Sequence, residues 1–240
     1  KHFPSVGITI DGIEVGTTAT AAVLMDVAQI EILRGPQGTQ FGANALAGII
    51  NIRTHEPSDV FSGRIEAAYG NFDSWHVAAS LSGPLSDSVG GRLAIQQTSS
   101  DGYYKNDFLN RDDSNYRDEL SLRGKLRWTG NDGAEINLIA SYADLDGGYD
   151  AFSLDNIRTT LSDNPGHDRQ ESVALAVTST WPIFNNLRLE TLLSWRDSKE
   201  DYAFDEDWVF SALYNYADAD DLDNTDTVYE GININSLTLT

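Results

Sequence analysis

The sequence predicts a membrane all-β protein: a partial antiparallel transmembrane β-barrel of about eight strands, preceded by a small α/β segment. Three observations predict this fold. Apolar and polar residues alternate along most of the chain after residue 63, and short connections alternate with connections that are mostly long. The sequence contains no run of about 18 apolar residues, the length that a membrane helix requires. A barrel strand needs only about 10 residues and one apolar face, so a membrane protein is still possible.

The first 55 residues differ from the rest of the chain. They are rich in Gly, Ala, Val and Ile and carry three short hydrophobic runs, at Val6–Ile10, 29–33 and 47–52. Gly, Pro, Asn and Asp separate these runs, as turns require. This composition predicts a small compact α/β unit, and the polar residues 54–59 predict a linker to the following part.

The clearest alternation lies in residues 119–129. Leu120, Leu122 and Trp128 fall on one face, whereas Arg123 and Lys125 fall on the other. The same period of two recurs in seven further segments: 64–69, 75–81, 92–97, 135–142, 172–181, 187–196 and 229–239. The last of these changes phase near Asn235, which predicts a bulge. Together they predict about eight strands.

The connections between these strands fall into two sets. The short set comprises residues 84–87, 130–133 and 182–186. The other set comprises residues 71–74, 100–116, 146–168 and 201–226, of which only the first is short. Tight turns at one end and long loops at the other are typical of outer-membrane barrels.

The charge distribution follows the same division. With 37 acidic and 16 basic residues the formal net charge is −21, which argues against nucleic acid as a partner. Roughly half of the acidic residues lie in the three long connections. The charged face of 119–129 suits a wide polar interior, and Trp128 and Trp181 at the turn end suit an interfacial aromatic girdle. A soluble antiparallel sandwich is the alternative interpretation of the pattern.

One segment resembles a known family. A "DG" turn at Asp11-Gly12 is followed by "IEILRGPQGT" at 30–39, "FG" at 41–42 and "AGIINI" at 47–52. In this order and spacing they resemble the plug domain of TonB-dependent outer-membrane receptors. A "YGNF" at 69–72 followed by alternating strands resembles the start of the family's barrel.

The resemblance implies an organisation and a location. Residues 1–57 would be the C-terminal part of the plug, and residues 58–240 the N-terminal part of the barrel, in the outer membrane of a Gram-negative bacterium. Family members close about 22 strands around the plug, so we expect this chain to be a fragment. The TonB box, which the periplasmic partner TonB binds, would precede Lys1.

The resemblance also implies a function: energised uptake of a scarce ligand, with a ferric siderophore as the default and no enzyme activity. TonB and outer-membrane lipid would be the partners. Oligosaccharide and cobalamin are alternative ligands. From other classes, a passive porin-like barrel would lack the plug motifs, and a soluble carbohydrate-binding or hydrolytic β protein would lack a lipid-facing band.

Candidate ligand-binding and structural residues follow from the resemblance. Plug loops that face outward would contact ligand through Glu14, Thr17, Thr18 and Met25. Basic plug residues would pair with barrel-wall carboxylates in a structural role; these residues are Arg34 and Arg53 on the plug, and Glu66, Glu119 and Glu135 on the wall.

Aromatic side chains of the long loops offer flat faces that could stack on catecholate rings or sugars. The ligand-binding candidates among them are Tyr103, Tyr104, Tyr149, Phe152 and Trp208. Exposed aromatics are also common in interfacial belts, which is the alternative role.

Catalytic, metal and cofactor sites are not predicted. The Gly-rich segment 35–39 lacks the Lys of a phosphate-binding loop, and the four histidines show no ligand spacing. The acidic run from Asp218 fails the calcium-loop pattern, because its sixth residue is Asp223 and its twelfth is Tyr229. A solvated acidic loop is the preferred interpretation.

Overall fold

The computed structural model describes residues 6–15, 24–36, 46–150, 152–153, 157–184, 187–210 and 227–239, the last of these as backbone only. Within these ranges the chain forms strands and no α-helix. No helix in the described part of the chain has the length and apolarity to cross a membrane.

The N-terminal strands form a four-stranded sheet, here called the inner sheet. Its strands are β1 (Val6–Ile10), β2 (Ile13–Glu14), β3 (Val27–Arg34) and β4 (Gly48–Thr54), in the order β2-β1-β4-β3. Strand β1 runs parallel to β4, and the other pairs are antiparallel. All three predicted hydrophobic runs are therefore strands. No α part of the expected α/β unit lies among the described residues, and 16–23 and 37–45 are outside them.

The predicted "DG" turn joins β1 to β2. Asp11 and Gly12 have φ values of 50° and 83°, so both residues adopt the left-handed conformation that a two-residue hairpin turn requires. An Asp-Gly pair takes up this conformation at low cost. The turn packs closely against Leu192, because a Cβ atom on Gly12 would come 2.8 Å from that side chain.

The remaining long strands form one antiparallel sheet of eight strands, here called the wall sheet. They are β5 (Ser62–Tyr69), β6 (Trp75–Ser86), β7 (Val89–Ser100), β9 (Arg117–Thr129), β10 (Glu135–Tyr149), β12 (Gly166–Phe184), β13 (Leu187–Asp205) and β14 (Thr227–Leu239). Each pairs with its neighbours in chain order. The prediction of eight strands is confirmed. The bulge predicted at Asn235 is wrong, because β13 and β14 pair without a register shift.

Several wall strands are longer than the alternation predicted. Strands β12 and β13 each have 19 residues, and they continue into polar sequence at the long-loop end. The long loops are correspondingly shorter. Two of them are joined by a small parallel pair, β8 (Lys105–Asn106) with β11 (Thr159–Thr160), which sequence periodicity could not predict because each strand has only two residues.

The wall sheet is polar inside and apolar outside. Arg123 and Lys125 of β9 are buried against the inner sheet, whereas the neighbouring Leu126 is 44% exposed. In the register of the sheet, Leu126 lies beside Leu138 of β10, and the row continues with Val177 and Leu193. An outward row of aliphatic side chains across four strands is the lipid-facing surface of a membrane barrel.

The height of this outward apolar surface agrees with a bilayer. It extends along β12 from Trp181 at the turn end to Val173, which corresponds to about 26 Å of strand. The next outward row contains the charged pair Asp144 and Glu171. Trp128 and Trp181 lie on the outer face at the turn end, where the aromatic girdle is predicted.

Candidate functional site

Four basic side chains of the wall sheet reach the residues just before β3, the β1–β2 turn and the connection that follows the inner sheet. Arg92 lies on β7, and Arg123, Lys125 and Arg127 lie at every second position of β9. The period of two puts all three β9 residues on the inward face. Their contacts define what we call the joint between the two sheets.

Arg92 and Asp26 form the tightest ion pair of the joint. Arg92 Nε donates to Asp26 Oδ2 at 2.7 Å, and the Nη2 atom donates to the other carboxylate oxygen. The side chains are only 13% and 10% exposed. A bidentate pair of this kind fixes distance and orientation together, and a buried charge that lost its partner would be strongly destabilising.

Lys125 binds three acceptors at once. Its Nζ atom donates to Glu56 Oε1 at 3.0 Å and to the Thr54 carbonyl at 3.3 Å, and it lies 3.2 Å from Asp11 Oδ1. The Asp11 carboxylate also accepts the backbone N–H and the hydroxyl of Thr54. One wall ammonium thus holds both the β1–β2 turn and the end of β4.

Arg123 completes the joint through a backbone atom. Its Nη1 atom donates to the carbonyl of Met25 at 2.7 Å. The side chain of Met25 is 2% exposed. Met25 is predicted to contact ligand from an outward loop, but its side chain is buried at the joint and presents no surface to a ligand.

An apolar contact accompanies the polar ones. Ile13 of β2 is 4% exposed and packs with Ile139, Ala174 and Ala176 of the wall sheet. Leu192 covers the same cluster. Small alanines on the inward face of β12 leave room for the Ile13 side chain.

The predicted pairs between plug arginines and wall carboxylates are not formed among the described residues. Glu66 pairs with Arg64 at 2.8 Å, and Glu119 pairs with Arg117 at 2.7 Å, each on its own strand. Glu135 accepts a hydrogen bond from Asn137. Arg34 and Arg53 are exposed and make no ion pair within the described ranges. At the joint the wall supplies the cations and the inner sheet supplies the carboxylates, so the signs are the reverse of those expected.

At the opposite end, the long loops bring aromatic residues together in what we call the aromatic shelf. It consists of Tyr149, Phe152, Tyr202 and Trp208. Phe152 and Trp208 stack with ring centroids 4.8 Å apart, and Tyr149 contacts Tyr202 at 4.9 Å and Phe152 at 5.8 Å. Three predicted ligand-binding residues, Tyr149, Phe152 and Trp208, are thus neighbours.

The other two predicted aromatics lie in a second group. Tyr103 and Tyr104 have centroids 4.8 Å apart, and Phe72 lies 6.2 Å from Tyr103. The guanidinium of Arg158 covers the Tyr103 ring at 5.6 Å. Part of this flat surface is therefore already occupied by a cation from the next loop.

A buried hydrogen-bond network supports the loops. Asn106 is 1% exposed and donates to Asp150 Oδ2 at 2.9 Å and to the Ser162 carbonyl at 2.7 Å. The hydroxyl of Thr160 donates to the same Asp150 oxygen at 2.7 Å. Sequence reasoning missed these residues, because single polar side chains in loops give no periodic signal.

A cavity of about 420 Å³ opens between the loops and the inward face of the wall. Its lining includes Glu119, Asp146, Asp168, Arg117 and Tyr149. Burial raises the pKa of the neighbouring Tyr116 hydroxyl, and Arg169 and Asp146 act on it in opposite directions. Tyr116 is therefore a neutral donor, and it donates to Asp146 at 2.8 Å.

Comparisons with known proteins agree with this geometry. Residues 3–49 match the TonB-dependent Receptor Plug Domain. The pesticin receptor of Yersinia pestis is 38% identical over 113 residues, which are 47% of this chain and 17% of that protein. The ferric yersiniabactin uptake receptor FyuA of Yersinia pestis has a similar structure, with a TM-score of 0.76 and 26% identity over 84% of this chain and 33% of its own.

Residues 3–49 form the plug domain of a TonB-dependent receptor, and the remaining strands have the fold of such a receptor's early barrel. The inner sheet belongs to the plug, and the wall sheet is a sector of an outer-membrane barrel of a Gram-negative bacterium. The vitamin B12 transporter BtuB of Vibrio vulnificus is a further relative, 31% identical over 126 residues, 50% of this chain and 21% of that protein. The chain thus spans about a fifth of the curated relatives and a third of the solved receptor.

The remaining predicted plug contacts are incompletely described. Thr17 and Thr18 lie outside the described residues, and Glu14 is half-buried at the end of β2. Their contact with ligand stays a prediction. The domain division at residue 57 also stays a prediction; the two sheets of this TonB-dependent receptor are joined by residues 55–61.

Proposed function

We propose that the receptor carrying this chain takes up a ferric siderophore with energy delivered through TonB, and that it is not an enzyme. The observation that carries this proposal is the joint. Arg92, Arg123 and Lys125 hold the plug against the inward face of the barrel by buried contacts. A plug held this way blocks passive flux, so a bound ligand passes only when these contacts are broken by external work.

The choice of a ferric siderophore rests on similar receptors and on the aromatic residues at the long-loop end of the barrel. The solved receptor with the same arrangement is a ferric yersiniabactin uptake receptor, and the ferripyoverdine receptor of Pseudomonas aeruginosa is 31% identical over 77 residues. The aromatic shelf supports it chemically, because stacked rings such as Phe152 and Trp208 present flat surfaces to aromatic chelating groups. Tyr149 and the Tyr103–Tyr104 group would extend the same surface.

Cobalamin is the second candidate ligand. The similarity to the vitamin B12 transporter BtuB of Vibrio vulnificus favours it. Oligosaccharide uptake remains a proposal that rests only on aromatic stacking. A passive porin-like barrel is disfavoured, because the plug occupies the interior that a porin keeps open.

The test uses the full-length receptor in cells. Accumulation of radiolabelled ferric siderophores and of labelled cobalamin is measured with and without a functional TonB system, alongside a strain that lacks the receptor. We expect accumulation of one ferric siderophore that requires both the receptor and TonB. Equal accumulation without TonB would contradict energised transport. TonB-dependent accumulation of cobalamin alone would show that the ligand is cobalamin and not a ferric siderophore.

A further inference from the structure

The plug packs against one side of the wall and is separated from another side by a cavity. On β9 and the strands that follow it, Arg123, Lys125 and the cluster around Ile13 hold the plug by direct contacts. Along β5, β6 and β7, a cavity of about 530 Å³ lies between the plug and the inward face of the wall. The plug borders this cavity through Leu24 and Val27. The described part of the interface is therefore asymmetric.

The wall of this cavity is built from small and polar side chains. Its inward positions on β6 and β7 include Ala78, Ser80, Ala94 and Gln96. The register pairs Ala78 with Gln96 and Ser80 with Ala94, so these residues form one continuous patch. The inward face of β10 instead carries Ile139, which packs against the plug. Short side chains thus leave space beside the plug along β6 and β7.

The cavity extends along the strands from the long-loop end to the joint. At the long-loop end it reaches His76, whose Nδ1 atom is hydrogen-bonded to Thr98 Oγ1 at 3.0 Å. The connection at that end of β6, residues 71–74, is short. At the other end the cavity reaches Arg92 and Asp26, the tight ion pair of the joint. This pair therefore forms the floor of the cavity.

The charged groups of the lining are balanced. Arg64 pairs with Glu66 at 2.8 Å, and Arg92 pairs with Asp26. A balanced, hydrogen-bonding surface of small side chains can contact a polar solute without holding it tightly. A passage needs this property, because a solute must be able to leave each site that it enters. The volume also lies within the range of cavities that take small organic ligands, about 300–1,000 Å³.

We propose that the ferric ligand passes the plug through this cavity, beside strands β5–β7, and that the Arg92–Asp26 pair closes the cavity until external work separates the pair. This inference rests on the proposed function, because it names the route of the same ligand. The contacts of Lys125 and Arg123 hold the plug to β9 while the β5–β7 side opens. Initial binding takes place at the aromatic shelf, so a change in the cavity alters the uptake rate and not the binding affinity.

The experiment narrows the cavity at Ala78. Ala78→Trp adds a large side chain on the inward face, whereas Val77→Trp adds one at the neighbouring outward position, which is 45% exposed. The probe is the ferric siderophore that the wild-type receptor accumulates in the uptake test, labelled with radioactive iron. Its maximal TonB-dependent uptake rate is measured in cells, and its affinity is measured on the purified full-length receptor.

We expect Ala78→Trp to lower the maximal uptake rate on the order of tenfold and to change the affinity by less than about twofold, because the step that is lost follows binding. Val77→Trp should retain the wild-type values of both quantities. All variants are compared at equal amounts of folded receptor in the outer membrane. A wild-type uptake rate for folded Ala78→Trp would overturn the proposed route.

Ala143→Trp tests the choice of sector. Ala143 lies on the inward face of β10 in the same row of the wall as Ala78, because the register runs from Ala78 through Gln96 and Ser121 to Ala143. The same residue type is thus enlarged on the side where the plug is held. Ala143→Trp should lower the uptake rate much less than Ala78→Trp. An equal or larger loss would overturn the assignment to β5–β7.

A second measurement does not depend on how a Trp variant folds. The sequence contains no cysteine, so Ala78→Cys introduces a single thiol into this part of the receptor. Uptake is compared in the same cells before and after reaction with a membrane-impermeant biotin maleimide, in a full-length receptor without another cysteine. The thiol should react from outside the cell, and the adduct should lower the uptake rate. A thiol that does not react, or an adduct without effect on uptake, would overturn the route.

The outcomes separate this inference from the proposed function. TonB-dependent uptake of a ferric siderophore that is unaffected by Ala78→Trp and by the adduct at Ala78→Cys would overturn the route and leave ferric siderophore uptake intact. Absence of TonB-dependent uptake of every ferric siderophore by the wild-type receptor would overturn both.

Discussion

The joint and the mouth use the same inward wall in opposite ways. At the joint, the cations of β7 and β9 meet carboxylates of the plug, so that Arg92 neutralises Asp26 and Lys125 neutralises Asp11. At the mouth, which is the end of the barrel formed by the long loops, the cavity is lined by Asp168 and by Tyr149 of the aromatic shelf. Buried ion pairs stabilise the seated plug, whereas the aromatic rings remain for a ligand.

The largest effect is expected when a cation of the joint is removed. Arg92→Ala leaves the Asp26 carboxylate buried without its partner, which should lower the free energy of unfolding of the plug by about 3–5 kcal/mol. Denaturant unfolding of the full-length receptor in detergent measures it. The loosened plug should also make the outer membrane permeable to large hydrophilic antibiotics.

Arg64→Ala is the matched control for Arg92→Ala. Arg64 pairs with Glu66 on the same wall, but the side chains are 77% and 50% exposed, so the change should stay below about 1 kcal/mol. Replacing Arg92 and Asp26 together by Met and Leu should recover most of the loss. Equal effects of the two single variants would contradict a structural role for the joint.

A second pair of substitutions compares the inward and outward surfaces of the wall by shortening an apolar side chain at each one. Ile13→Ala opens a cavity in the cluster of Ile139, Ala174 and Ala176, at a cost of about 2–5 kcal/mol in the same unfolding assay. Ile65→Ala removes the same atoms from an outward side chain that is 83% exposed. Ile65→Ala should lower the free energy of unfolding far less than Ile13→Ala. A larger loss for Ile65→Ala would refute the assignment of Ile65 to the outward face.

At the mouth, truncation should affect binding more than stability. Phe152→Ala or Trp208→Ala removes one partner of the stack at 4.8 Å, and a double-mutant cycle should give a coupling of about 0.5–1.5 kcal/mol. The measured quantity is the affinity of the purified full-length receptor for the ferric siderophore that it accumulates in the uptake test. Phe184→Ala, at the opposite end of the barrel and 73% exposed, should leave that affinity unchanged. Additive effects would show that the two rings do not act together.

The smallest effect is expected at an exposed pair of the loops. The Arg111 guanidinium holds the pKa of the Asp113 carboxyl below its usual value. A lowered pKa in the folded state contributes stability that is present above the unfolded pKa, about 3.9, and is lost as the pH falls through the lowered value.

The side chains of this pair are 44% and 47% exposed, so Asp113→Asn should cost less than about 0.5 kcal/mol at neutral pH. The difference between wild type and variant, followed by unfolding from about pH 7 to pH 3, should disappear in the acid range. A difference that grows toward low pH would be inconsistent with this assignment.

Much of the wall could be predicted because its signal is local. Lys125 and Leu126 are adjacent, and their opposite character already assigns one to the interior and one to lipid. The "DG" turn is local in the same sense, since Asp11 and Gly12 together favour one hairpin geometry. The strand ends were less well predicted, because β12 and β13 continue through polar residues whose pairing depends on the neighbouring strand.

The contacts of the site could not be predicted in the same way. Arg92 and Asp26 are 66 positions apart, and Asn106 and Asp150 are 44 apart. Many carboxylates could have paired with Arg92, so the sequence offered no reason to choose Asp26. The burial of Met25 is unpredictable for the same reason, because it depends on the position of Arg123 on a distant strand.

The resemblance to a family, the eight-stranded wall and the acidic character of the loop end follow from local patterns in the sequence. A period of two, an ordered plug motif and net charge are all properties of neighbouring residues. The choice of which charges neutralise each other depends on tertiary contacts. Whether a carboxylate is neutralised depends on the atom that comes within hydrogen-bonding distance, and that atom belongs to a strand far away in the chain.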